Sequence, residues 1–174
     1  ITLYLSNVLG FTDIQAATIA GVFSACLYLL PTFSGALADK IGFRKSMLLA
    51  CTLLSLGYLG LGLFPNFLAS TGLVEYGYVT KFTGLQESGY RYGIIPIMIL
   101  IIVGGSFIKS VISGTVAKET DEKNRARGFA IFYGMVNIGA FSGKVLVTPL
   151  RDAMGHEGMI VLNYFSAGMT FLAL

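Results

Sequence analysis

The chain has 174 residues, 55% of them hydrophobic and only 12% charged, with a mean hydropathy of +0.75. Too few charges remain to coat a water-facing surface, where about 25% is usual, and the hydrophobicity excludes a disordered chain. A net charge of +3, dispersed along the chain, argues against a nucleic-acid-binding surface. Two cysteines, Cys26 and Cys51, both in apolar stretches, rule out a disulfide scaffold.

Residues 1–10 read as the end of a helix whose start is missing. Thr12-Asp13 predicts an N-cap for a second helix over 14–38. A short charged turn, 39–45, leads into an apolar run at 46–64. Residues 65–91, with Pro65, Asn66, Gly72 and Gly77, read as a long loop. Further apolar runs follow at 92–117 and 128–148, separated by the charge-dense turn 118–127. A polar turn at 149–158 precedes a last run, 159–174. The four long runs approach or exceed the ~20 residues that span a bilayer. The pattern predicts an all-α membrane protein, an internal fragment of a longer chain with no signal peptide pattern.

Loop charge sets the expected orientation. Lys40, Arg44, Lys45, Lys118, Lys123, Arg125 and Arg127 lie on one side, and only Lys81, Arg91 and Arg151 on the other. The side with seven basic residues is therefore expected in the cytoplasm, and the 65–91 loop outside. Gly57, Gly60, Gly62, Gly104, Gly105, Gly139 and Gly143 read as small residues for close helix packing. Cys26 and Cys51 read as small buried residues, and His156 stands alone in a polar turn. No nucleophile elbow, phosphate loop or metal-ligand spacing occurs, so no catalytic residue, metal or cofactor is expected.

The run Gly35-Ala-Leu-Ala-Asp39-Lys40-Ile-Gly42-Phe43-Arg44-Lys45 joins two apolar spans through a very short turn. It resembles the signature loop between the second and third helices of the major facilitator superfamily. In physical terms Gly35 allows close helix approach, Asp39 accepts hydrogen bonds from a neighbouring helix, and Gly42 makes the tight turn. Arg44 and Lys45 anchor the loop at the anionic leaflet. Phe43 stands where the superfamily commonly has a basic residue. The resemblance implies a six-helix bundle, here an incomplete amino-terminal half of a twelve-helix transporter with its site near the midplane.

Two more segments narrow the match. Gly104-Gly-Ser-Phe-Ile-Lys109-Ser-Val-Ile-Ser113 and Phe132-Tyr133-Gly-Met-Val-Asn137-Ile-Gly139 resemble the proton-dependent oligopeptide transporter family, as do Leu-Tyr-Leu near the start and Tyr28-Leu-Leu-Pro31. Ser110 stands where that family usually has Pro, and the 39–45 turn lacks a residue the family often inserts. The family's first-helix Glu-x-x-Glu-Arg element would precede residue 1. The resemblance implies proton-coupled symport of di- and tripeptides.

The polar residues inside the spans point to the same place. A lysine near the bilayer centre costs about 2.5–3.5 kcal/mol on insertion scales and is usually functional. Lys109 shares one helix face with Gly105, Ser106 and Ser113, a face suited to a water-filled cavity, with snorkelling as the alternative. Tyr133, Asn137, Ala140 and Lys144 form a second stripe. Asn137 offers donors and an acceptor to a peptide amide, or to a neighbouring helix, while Lys144 lies near an end where snorkelling is favoured. Thr18, Gly21, Ala25, Tyr28, Thr32, Gly35 and Asp39 form a third, in which Tyr28 matches a peptide-contacting tyrosine by resemblance and a core tyrosine by chemistry alone. Pro31 is expected to bend this helix. Tyr28, Lys109, Asn137 and Tyr133 are thus the expected substrate residues, and Gly35, Asp39, Gly42, Arg44 and Lys45 the gating loop. All nine acidic residues fall in loops or at helix ends, so a membrane carboxylate that carries the proton would lie outside this chain.

The expected function is a secondary transporter of the plasma membrane whose partners are short peptides, protons and the lipid bilayer. Another major facilitator carrier (a drug/proton antiporter or small-solute transporter) is the runner-up, and a non-transporting receptor on the same fold is the third reading.

Overall fold

Thr12 caps the longest amino-terminal helix as its position predicts. Its hydroxyl accepts from the Gln15 N–H at 3.4 Å while Gln15 Oε1 accepts from the Thr12 N–H at 3.2 Å, a reciprocal capping box. The structure, a computed structural model, describes residues 1–79, 82–86, 88–154 and 156–174. Lys81, Glu87 and Gly155 lie outside the described residues, as do the side chains of Arg151, Asp152 and His156.

Among the described residues six α-helices follow one another: α1 Thr2–Asn7, α2 Asp13–Ile41, α3 Phe43–Ser70, α4 Ile94–Glu119, α5 Arg125–Met154 and α6 His156–Leu172, with a short 3-10 helix, Gly89–Gly93, leading into α4. Each contains or overlaps one predicted apolar run. Among the described residues three stretches, Asp13–Ile41, Phe43–Ser70 and Gly89–Glu119, are long and apolar enough to cross a membrane. Gly42 alone separates α2 from α3, at φ 94°, a conformation open to glycine and strained for other residues.

Sequence order does not by itself decide the packing: α2 and α3, joined directly at Gly42, touch each other little. The main contacts of α3 are with α4 and α6, and α2 also packs on α4, so α4 sits between α2 and α3. Leu54, Leu61 and Leu68 repeat every seven residues along α3 and meet Ile94, Met98 and Ile101 of α4 in one buried cluster with Tyr4, Leu5, Val8 and Leu9. Glycines set this spacing. A Cβ on Gly57 would lie 2.4 Å from the Ile101 side chain, and one on Gly104 2.9 Å from the Ala50 carbonyl. Gly62 admits the Tyr164 ring of α6, whose nearest atom would lie 2.8 Å from a Cβ at that position.

Four expectations need correction. First, Gly139 and Gly143 face open space, and α5 contributes no residue to the described core, because α5 packs mainly against α6 and part of α4. Second, α3 runs through Pro65 and Asn66 to Ser70, so the expected loop begins six residues later. A tertiary hydrogen bond compensates for that proline: Tyr4 donates its hydroxyl to the Leu61 carbonyl, the acceptor that Pro65 leaves without an N–H. Third, α5 continues past Pro149 to Met154, and α6 begins at His156. Pro149 falls in the last two turns, inside the helix, and leaves the Val145 carbonyl without its in-helix N–H. Fourth, the loop after α3 is not wholly irregular: β1 Tyr76–Val79 pairs antiparallel with β2 Phe82–Leu85. The base of this hairpin is fixed by Gln86 N–H to Glu75 O at 2.8 Å and Leu85 N–H to Val8 O at 2.9 Å. Leu85 is buried, and its carbonyl occupies the place where a side chain on Gly10 (φ 67°) would stand.

Candidate functional site

Pro31 lies in the middle of α2 and has no N–H, so the Leu27 carbonyl loses its in-helix partner. Lys109 of α4 takes that acceptor. Its Nζ donates to Leu27 O at 3.5 Å and lies 4.2 Å from the centre of the Tyr28 ring. Lys109 is close to the centre of α4, about 4 Å from its midpoint at 1.5 Å per residue. Tyr28 is 77% exposed, so the pair stands on an open face.

A hydroxyl cluster holds α2 and α4 in register beside this pair. Ser110 donates to Pro31 O at 2.6 Å, with Ser106 O as a second acceptor at 3.2 Å. Ser34 Oγ lies 3.1 Å from Ser110 Oγ and 3.3 Å from Pro31 O. One hydroxyl carries one proton, so with Ser110 bonded to Pro31, Ser34 can donate to Ser110 or share Pro31. Ser34 and Ser106 are buried. Ser110 thus bonds the carbonyl of the proline that interrupts α2.

The structure brings Tyr28 and Lys109 together from helices 81 positions apart. It places Asn137 and Tyr133 on the exposed length of α5, where Tyr133 touches Phe129 and Phe132 at ring distances of 6.4 and 5.1 Å. In the signature loop Gly42 makes the turn as expected. Gly35 faces Ser110, but a Cβ there would meet only ordinary contact at 3.6 Å, so close approach does not require the glycine. Asp39 is exposed in the last turn of α2 and makes no hydrogen bond to another helix among the described residues. Arg44 and Lys45 are exposed.

Sequence reasoning missed Arg91. By position it belongs with the external loop charges, yet it is 2% exposed. Its guanidinium bonds the Gly10 carbonyl, donates to Gln15 Oε1 at 3.3 Å and lies 4.5 Å from the centre of the Phe11 ring. It ties the α1–α2 corner to the start of α4 in a contact 76–81 residues apart in sequence. The one local signal was its aromatic flanks, Tyr90 and Tyr92; Tyr92 packs edge-on to Phe11 at 5.2 Å.

Among known proteins, a family model for the Major Facilitator Superfamily matches residues 1–174. The chain is 29% identical over 145 residues to the peptide transporter YePEPT of Yersinia enterocolitica, covering 79% of this chain and 23% of that protein. It is 27% identical over 149 residues to dipeptide and tripeptide permease A of Erwinia pyrifoliae, covering 84% of this chain and 25% of the permease. The permease of the same name from Proteus mirabilis is 25% identical over 149 residues, covering 84% and 26%. The chain spans about a quarter of the length of these curated relatives. Its long apolar helices and these bacterial relatives make it an integral protein of the plasma membrane. With its whole length matched and its packed helical bundle, the chain belongs to the major facilitator superfamily.

Proposed function

We propose that the complete protein is a secondary transporter that carries di- and tripeptides with protons by alternating access. The observation that carries this reading is Lys109, a cation at the middle of a membrane helix, held against Tyr28 and the freed Leu27 carbonyl on an open, small-residue face. A lysine kept at that depth has a carboxylate to meet, either that of the substrate or one from a part of the protein outside this chain. The likeness to named peptide transporters supports the substrate class. In this reading Asn137 and Tyr133 on α5 complete the site with an amide and a phenol once the remaining helices close over that face. The 39–45 and 118–127 turns face the cytoplasm and govern the rearrangement rather than substrate contact.

The test is uptake of a labelled dipeptide into proteoliposomes containing the full-length protein, with and without an inward proton gradient. Accumulation above equilibrium only with the gradient supports the proposal. Transport of another solute class with no dipeptide uptake favours a different major facilitator carrier.

A further inference from the structure

We infer that Pro31 is a positioning residue: by freeing the Leu27 carbonyl it builds, with the Tyr28 ring, a seat for a primary ammonium group that aims Lys109 at its carboxylate. The inference rests on the proposed role of Lys109 and names what holds it.

Three features of one helix converge on the seat. Pro31 removes the N–H that would otherwise close on Leu27 O. Tyr28, one residue on from Leu27, presents its ring face 4.2 Å from the ammonium nitrogen. The Leu27 carbonyl lies 3.5 Å from the same nitrogen. A carbonyl dipole and an aromatic quadrupole both attract positive charge, and neither neutralises it. An ammonium has three donors and no acceptor. With one donor on Leu27 O, the others remain for a carboxylate on the open side, where the Lys109 side chain is exposed. Lysine's long stem is otherwise free to sample many rotamers, so a seat of this kind lowers the cost of presenting the charge. Ser110, adjacent to Lys109, bonds Pro31 O and fixes the height of the lysine against the seat.

Snorkelling would carry the ammonium along α4 toward a membrane surface. The contact runs instead sideways to the middle of α2. Pro65 supplies an internal control, since it frees the Leu61 carbonyl in the same way but a tyrosine fills it and no cation is involved.

The test compares the wild-type full-length protein with Pro31→Ala, Lys109→Ala and the double variant, with Pro65→Ala as a control. Alanine restores the N–H to Leu27 O and suits a helix; Pro31→Gly repeats the restoration should the alanine variant express poorly. In thermal unfolding, Lys109→Ala should lower the midpoint by a few degrees in the wild-type background and leave it unchanged in the Pro31→Ala background. In dipeptide uptake, Pro31→Ala should raise KM about tenfold, the loss of one charge-assisted hydrogen bond, with the maximal rate kept within about twofold. Pro65→Ala should leave KM unchanged.

Equal midpoint losses in the two backgrounds would overturn the seat. A KM that moves alike in Pro31→Ala and Pro65→Ala, or a Pro31→Ala effect confined to the maximal rate, would overturn the positioning role. A full-length protein that carries no dipeptide defeats the transport reading alone, and the unfolding comparison still decides the seat.

Discussion

Pro31 and Pro65 each interrupt a long helix and each free the carbonyl four residues earlier, yet the two carbonyls meet different partners. Leu61 O receives the hydroxyl of Tyr4, which is 6% exposed and packed in the main core. Leu27 O receives the ammonium of Lys109 at 3.5 Å beside a ring that is mostly exposed. A neutral phenol with few torsions, held in one buried cluster with Leu5, Leu61 and Ile101, makes a fixed joint. A cation on a flexible stem at an open face keeps donors free for a carboxylate while one stays on Leu27 O. One kind of backbone defect thus serves architecture in α3 and, in the proposed reading, readiness for a ligand in α2.

Four substitutions break or sharpen this contrast. The largest expected effect is on transport: Lys109→Ala should abolish gradient-driven dipeptide uptake in proteoliposomes while the protein still expresses and folds. Retention of wild-type uptake would make Lys109 a packing residue and remove the functional half of the comparison. Next comes Tyr4→Phe, which leaves the Leu61 carbonyl buried and unpaired. It should cost about 1–3 kcal/mol in stability, read by thermal unfolding, with uptake per folded molecule unchanged. Adding Pro65→Ala to that variant restores an N–H to Leu61 O and should regain roughly 1 kcal/mol. No recovery would mean that the hydroxyl does not stand in for the missing N–H. The smallest effect belongs to Tyr28→Leu. An exposed cation–π contact is worth about 0.5–1 kcal/mol, so dipeptide KM should rise about two- to fivefold.

Much of the architecture was legible because it is local. Apolar runs of about bilayer-crossing length or more became α2, α3 and α4. The Thr12 cap and the Gly42 turn followed from residues within one helical turn of each other. The pairing of Tyr28 with Lys109 was also within reach, since an intramembrane lysine is costly and needs a partner. The acceptor on Leu27 was one step further: Pro31 announced a bend, but which donor would fill the freed carbonyl was not written in α2. Where the sequence reading failed, the deciding partner was distant. Pro65 looked like the end of a helix, and Tyr4, 57 residues from the Leu61 carbonyl, removed the penalty. Arg91 looked like a loop charge until Gly10, Phe11 and Gln15 surrounded it. Gly139 and Gly143 have the spacing of a packing motif, as Gly57 and Gly60 have small-residue contacts, but only the latter pair meet a facing helix in this chain.

Composition, apolar run length and the 35–45 and 104–113 motifs were enough to determine an all-α membrane bundle of the major facilitator superfamily, because bilayer thickness dictates helix length and a one-residue turn dictates glycine. Only the tertiary structure decided which helices touch, which prolines are tolerated and which basic residues are buried. Those outcomes depend on hydrogen-bond partners and contacting surfaces tens of residues apart, and a freed carbonyl or a buried guanidinium is stabilised only by the group that the fold brings to it.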